Sequence, residues 1–175
     1  LRNTLDIAFG TGNIFTNIQK RTKLSASIFV LLDLSSSTIP TTLPTIMKAA
    51  KDISSITRWD KNIRMSILGY TSYSVKAAKK DERPEIHNLL YKFGGFNHSL
   101  DRKQEAIQSF CASFYTGGTP TGSAIIHATA ALLQEQSDLR ILLVLTDGLA
   151  NDPAIVKTSL EAAHASGIKT CVITI

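Results

Sequence analysis

The sequence predicts an α/β domain: a doubly wound, mostly parallel sheet with helices on both faces and one short edge strand. Three observations point there. The runs ASIFVLLD (26–33) and LRILLVLTD (139–147) are continuously apolar and rich in branched residues, which marks strands buried on both faces rather than one. Strand-like runs alternate with stretches of helical apolar spacing, the pattern of a sheet whose parallel strands are joined by crossover helices. The chain has 175 residues, enough to bury one full core but not two generous ones.

The elements follow in order. Residues 1–24 are expected to form an N-terminal extension and 25–175 the domain. After the first strand comes SSSTIPTTLP, a loop of small hydroxyls and prolines. Ile46, Met47, Ala50 and Ile53 then recur at helical spacing, with Thr42 as cap and Pro44 in the first turn. RMSILGY (64–70) is a second strand, and SYSVKAAKKDERPEI a charged, exposed connection. NLLYKF (88–93) suits a short edge strand or a helical turn. Ala106, Ile107 and Phe110 mark a helix from 101 to 113, extended to Phe114. GGTPTG (117–122) breaks it, and SAIIHATAALLQEQ resumes as a helix with Ile125, Ala128 and Leu132 on one face. Beyond the second buried strand, Asp152 caps a helix with Pro153 at its first position and Gly167 at its end. IKTCVITI is the last strand. A doubly wound sheet ordinarily covers such a strand, so a further C-terminal helix is expected.

Composition excludes several classes. The net charge is +5, but the basic residues cluster only in QKRTK (19–23) and KAAKKDER (76–83), without the interleaved aromatics of a nucleic-acid-binding module. No stretch is long enough to span a membrane, and no signal peptide opens the chain. Cys111, in a predicted helix, and Cys171, in a predicted strand, are expected to be small buried hydrophobes in a reducing compartment, which together imply a cytoplasmic protein. Asn97–Ser99 fits a glycosylation sequon that matters only in a secreted protein. His87, His98, His127 and His164 lie on separate elements with no metal-ligand spacing. The Gly10–Gly12 GTG follows no buried strand and does not complete a dinucleotide fingerprint.

Chemistry concentrates at two strand ends. In an open parallel sheet, ligands bind beyond the carboxyl ends of the strands, where strand order reverses. Asp33 and Asp147 end the two buried strands. If those strands are neighbours, the carboxylates converge and repel, and one must take up a proton unless a cation intervenes. Magnesium, or manganese, wants oxygen ligands near octahedral geometry and tolerates neutral ones. Ser35 and Ser37 alternate along an extended loop and face one way, with Ser36 turned elsewhere. Thr119 follows two glycines that let its loop turn sharply towards the ion. Each piece alone has a plainer use, Asp-x-Ser-x-Ser in capping and Thr-Asp-Gly in a turn. Their conjunction, in this order, is what points to a cation site.

That order resembles the von Willebrand factor A domain and its metal-ion-dependent adhesion site, over residues 25–175. The matching residues are Asp33, Ser35 and Ser37 in DLSSS, Thr119 in GGTPTG and Asp147 in LTDG. GGTPTG and ILLVLTDGLAND look more like the bacterial branch that accompanies MoxR-type AAA+ ATPases than like integrins. That branch includes subunits of cobaltochelatase and accessory proteins of nitric-oxide reductase and Rubisco activase. Ser36 stands where the family commonly has glycine, and Thr38 where it commonly has methionine. The resemblance implies a non-catalytic module that binds a partner's Asp or Glu through one open metal position, the partner being such an ATPase or its client. Magnesium-dependent phosphoryl transfer would need a phosphate cradle or nucleophile, and the chain has no Gly-x-x-x-x-Gly-Lys-Ser/Thr and no Gly-x-Ser-x-Gly. A structural domain with an inactive site is the third possibility.

Overall fold

The computed structural model describes residues 24–38, 42–56, 60–75, 85–110, 117–148 and 150–175. In chain order these form β1 (Ala26–Asp33), α1 (Leu43–Ile56), β2 (Ile63–Val75), β3 (Glu85–Gly94), α2 (Leu100–Gln108), α3 (Thr121–Leu133), β4 (Leu139–Thr146), α4 (Pro153–Ala165) and β5 (Lys169–Thr174). The five strands make one sheet in the order β3-β2-β1-β4-β5. All pairings are parallel except that of β3 with β2. The expected α/β architecture is therefore the observed one.

Because successive side chains of a strand point to opposite faces, β1 organises two cores. Val30 and Leu32 join Ile46 and Ala50 of α1, Met65 and Ile67 of β2 and Ile107 of α2. Phe29 and Leu31 join Ala124, Ile125, Ala128 and Leu132 of α3 and Ala163 of α4. Each large aliphatic side chain buried this way contributes about 2 kcal/mol. The predicted apolar face of α3, Ile125, Ala128 and Leu132, is fully buried.

α4 follows its sequence signals. Asp152 accepts from the amides of Ala154 and Ile155, and Gly167 ends the helix with a φ of +78°, a left-handed conformation that glycine adopts without penalty.

Several expectations need correction. The edge strand β3 has ten residues rather than a short run, and the two ends of the expected connection, 72–75 and 85–86, belong to β2 and β3. Alternation of exposed and half-buried residues hid this strand, as suits a sheet edge. α2 ends at Gln108, with Ser109 at its C-cap, where the Ser109 amide donates to the carbonyls of Glu105 and Ile107; residues 111–114 of the expected helix, Cys111 among them, lie outside the described residues. α3 starts two residues early, at Thr121, with Pro120 at its cap position. Thr42 does not cap α1 as expected: its hydroxyl donates to the Thr38 carbonyl. β4 is closely covered only in its upper half, and Leu139 is exposed. Cys171 is exposed rather than buried, because β5 is an edge strand whose main helix contact among the described residues is α4.

Candidate metal centre

β1 lies between β2 and β4, so strand order reverses at its carboxyl end, the place where such sheets bind ligands. Asp33 is the last residue of β1, opposite Tyr70 of β2. Its side chain is fully buried. Oδ1 accepts from the Ser35 amide at 2.9 Å, and Oδ2 accepts from the Thr146 hydroxyl at 2.6 Å. Among the described residues no cation pairs with it. Burial raises its pKa above the ordinary carboxylate value, and the nearby Asp147 charge raises it further, against the lowering effect of the hydrogen bonds from Thr146 and Ser35. Asp147, immediately after Thr146, is half-buried.

The loop after β1 places its hydroxyls as the alternation predicts. Ser35 Oγ and Ser37 Oγ lie 3.1 Å apart. Ser36 points away, its amide and hydroxyl both donating to the Gly117 carbonyl at 3.0 and 3.1 Å. Thr38 closes the turn, its hydroxyl donating to the Ser35 carbonyl at 2.7 Å.

Gly117–Gly118 is clamped against the end of β2. The Gly117 amide donates to the Thr71 hydroxyl, and the Ser72 amide donates to the Gly118 carbonyl. A β-carbon at Gly117 would meet the Ser72 carbonyl oxygen at 2.2 Å, and one at Gly118 would meet Asn151 Nδ2 at 2.3 Å. Both glycines are thus required by close approach of backbone and neighbouring side chains. Thr119 follows, nearly buried, its carbonyl accepting from the amides of Thr121 and Asn151. It borders a recess of about 320 Å³ with Pro120, Ser123, Asn151 and Ile155.

The structure therefore brings Asp33, Ser35 and Ser37 together, sets Asp147 within electrostatic range, and holds Thr119 on a loop tied to Ser36 and β2. Sequence reading missed Thr146, Tyr70 and Thr121. Tyr70 is fully buried beneath the site and accepts from the Thr121 hydroxyl at 3.3 Å; burial and the Asp33 charge hold its phenol neutral, pushing it well above its ordinary range. The available signal was Thr146 itself, next to Asp147 in LTDG.

Among the described residues no group of three His, Cys, Asp or Glu side chains could hold a metal. A hard cation here would rest on two carboxylates and neutral hydroxyls, a donor set that fits magnesium or manganese and not zinc. Three of the histidines have structural contacts, His87 stacking on Tyr73, His127 meeting Phe29 edge-on and His98 Nδ1 accepting from the Gly95 amide, and His164 is exposed. No helix among the described residues is long and apolar enough to cross a membrane.

Among proteins of curated function, none matches this chain. Solved structures do. An aerotolerance-related membrane protein from Bacteroides fragilis is similar with a TM-score of 0.60 and 20% identity, over 86% of this chain and 67% of that one. BatB from Bacteroides thetaiotaomicron gives 0.61 and 19%, over 86% and 66%. The manganese-loaded TRAP protein of Plasmodium vivax gives 0.62 and 17%, over 87% and 57%. The chain spans only 25% of the Lactobacillus rhamnosus GG pilus adhesin SpaC, at 12% identity and a TM-score of 0.62. At such identities these likenesses speak to fold. The profile of the von Willebrand factor type A domain matches residues 27–175, most of the chain and a span that includes Asp33, Ser35, Ser37, Thr119 and Asp147, and the chain belongs to that family.

Proposed function

We propose that this domain is a metal-dependent protein-binding module in which Asp33, Ser35, Ser37, Thr119 and Asp147 hold one magnesium or manganese ion, directly or through water. The observation that carries the reading is Asp33: a buried carboxylate with a raised pKa, held by one amide and one hydroxyl and within electrostatic range of a second carboxylate. Protein carboxylates buried without a cation are costly, and the neighbouring Ser35 and Ser37 oxygens are what a hard ion takes. When bound, the ion would neutralise both aspartates and accept an oxygen from a partner's Asp or Glu.

The chain's own residues prepare that event. Ser35 N and Thr146 orient Asp33, and the Gly117–Gly118 clamp presents Thr119. With only two acidic residues in the set, the ion keeps charge enough to attract a third carboxylate from outside. A similar fold was solved as a manganese-loaded protein and another as a pilus adhesin, which supports binding rather than catalysis. We read the partner as a MoxR-type AAA+ ATPase or its client, and the place of action as the cytoplasm. The purified domain is expected to hydrolyse neither nucleotide nor phosphate ester.

Calorimetry with MgCl₂ or MnCl₂ should show saturable binding that Asp33→Ala removes. Capture of the ATPase should fail in EDTA and with Ser35→Ala plus Ser37→Ala, while Lys157→Ala on the exposed face of α4 leaves it intact. A complex that forms equally well in EDTA would reject metal-dependent binding while leaving the family assignment untouched.

A further inference from the structure

We propose that the recess beside Thr119 is a specificity pocket: the partner segment that brings an Asp or Glu to the proposed metal also seats an apolar side chain there, between Ile86, Pro120 and Ile155. The inference rests on the reading of a metal-dependent binding site and names the chemistry of its partner. It starts from exposed apolar surface. Ile86 of β3, Ile126 of α3 and Ile155 of α4 are 67%, 57% and 45% exposed. Scattered singly, such residues would call for no explanation. These three lie together. Ile86 and Ile155 border the recess of about 320 Å³ that Thr119 lines. Ile155 and Asp152 also border a second recess, of about 370 Å³, whose rim carries Ile126. One apolar track therefore leads from the Thr119 loop into the groove between α3 and α4. Hollows of about 300 Å³ or more, with apolar walls and a few polar groups, are the ordinary form of a ligand site.

Regular structure holds the rim. Asn88 Nδ2 donates to Ser123 Oγ at 3.1 Å, tying β3 to the first turn of α3. A β-carbon at Gly122 would meet Ile155 Cγ2 at 2.4 Å, so α3 and α4 touch at this point. The Asn151 amide donates to the Thr119 carbonyl at 3.1 Å, so the recess and Thr119 hang on one frame. Charge decides what fits. Among the described residues, Asp152 is the only charged group that borders either recess, and its Oδ1 is taken up by the amides of Ala154 and Ile155. A second partner carboxylate would shed water to face an aspartate with no cation to meet it. A partner cation would gain little from an exposed pair with Asp152. An apolar side chain is matched there, since it covers isoleucine and proline that otherwise face water. The partner's acid thus belongs on the ion and its neighbour in the recess is apolar. In an extended segment, side chains two positions apart share a side, which places that apolar residue within two positions of the acid.

The test uses the whole chain, immobilised in MgCl₂ and exposed to a phage library of random linear decapeptides, and collects what EDTA releases. The enriched peptides are expected to carry an Asp or Glu with Ile, Leu, Val or Phe within two positions. Such a peptide, synthesised and titrated in MgCl₂ while the isoleucine methyl groups are followed by NMR, should shift Ile86 and Ile155 and leave Ile46, buried in the core, unmoved. Exchanging its apolar residue for serine should weaken binding by about 5–20-fold, as removing one partly buried apolar side chain does, and exchanging it for aspartate should weaken binding further. Ile86→Ser and Ile155→Ser should still enrich the acid but lose the apolar preference, and Leu133→Ser, exposed at the far end of α3, should keep both. EDTA-released peptides that carry the acid with no preference beside it or a basic one, or that leave the Ile86 and Ile155 methyl groups unmoved, overturn this inference alone. A wild-type chain that enriches no EDTA-released peptide overturns the proposed function and the inference with it. Should Ile155→Ser fail to fold, Ile86→Ser on the edge strand decides.

Discussion

The two ends of the central strands handle charge in opposite ways. At the amino ends, the Arg64 guanidinium lies 2.6 Å from Glu135 Oε2, and Arg140 donates twice to the Glu135 carbonyl. There too Asp138 accepts from the Ser25 amide and hydroxyl, which hold its carboxyl below the ordinary range. At the carboxyl ends, Asp33 is buried among neutral donors with a like charge nearby, and its pKa is raised. Where charge helps close the fold, the chain supplies its own complement. Where the complement must come from outside, the chain supplies only oriented oxygens.

The largest effect should come from exchanging one end for the other. Asp33→Ala is expected to reduce Mg²⁺ affinity by about 100-fold or more in calorimetry, since it removes a ligand and not merely its support. Glu135→Gln should leave that affinity unchanged and cost at most about 1 kcal/mol in urea unfolding, because its ion pair with Arg64 is partly exposed.

Next comes the clamp. Gly117→Ala sets a β-carbon against backbone, the Ser72 carbonyl oxygen at 2.2 Å, and cannot be relieved by a side-chain rotation. It should destabilise the domain by about 1–3 kcal/mol in urea unfolding and weaken Mn²⁺ binding, whereas the half-buried Gly95, whose β-carbon would meet only the Lys92 side chain at 3.4 Å or more, should accept alanine with metal affinity intact.

A smaller effect separates stability from function at the upper end. With a raised pKa, folded Asp33 holds its proton to higher pH than in the unfolded chain. Between the ordinary value of 3.8 and the raised one, the folded state binds more protons, so this group's contribution to stability falls as pH rises through that window. Its cost is fully present at neutral pH without metal. In EDTA at pH 7.5, Asp33→Asn should therefore raise the melting temperature by about 2–4 °C and remove that pH dependence. Added Mg²⁺ should stabilise the wild type and not the variant; a lower melting temperature for Asp33→Asn in EDTA would reject the idea that the carboxylate is held at a cost.

The smallest effect concerns Lys103, buried on α2 with its stem against Gly94. Desolvation lowers its pKa, so the unfolded chain binds more protons between the lowered value and 10.5, and stability rises with pH across that window. Lys103→Met keeps the stem and should gain about 0.5 kcal/mol at pH 7 by thermal melting, with the pH dependence flattened and metal affinity untouched.

Legibility in the sequence followed how local each cause was. β1 and the capped α4 were visible because continuous apolar character and Asp-Pro capping operate within a few residues. The hydroxyl pair Ser35 and Ser37, with Ser36 turned away, was visible because alternation in an extended loop is local too. β3 was ambiguous, since an edge strand with Ile86 and Leu90 exposed lacks a buried run. Cys171 was misplaced because an apolar strand sequence does not say which of its faces is covered.

By itself, then, the sequence determined that two apolar strands carry an aspartate at or just past their carboxyl ends, that Gly-Gly-Thr stands between them in order, and that the chain therefore resembles its family. Only the tertiary structure decided that β1 sits between β2 and β4, and that Tyr70 stands across from Asp33 with Thr146 beside it. The reason is physical: the Thr146–Asp33 bond joins residues 113 positions apart. Such a contact exists only once strand order and register are set, and these are chosen by both cores together, not by any one segment.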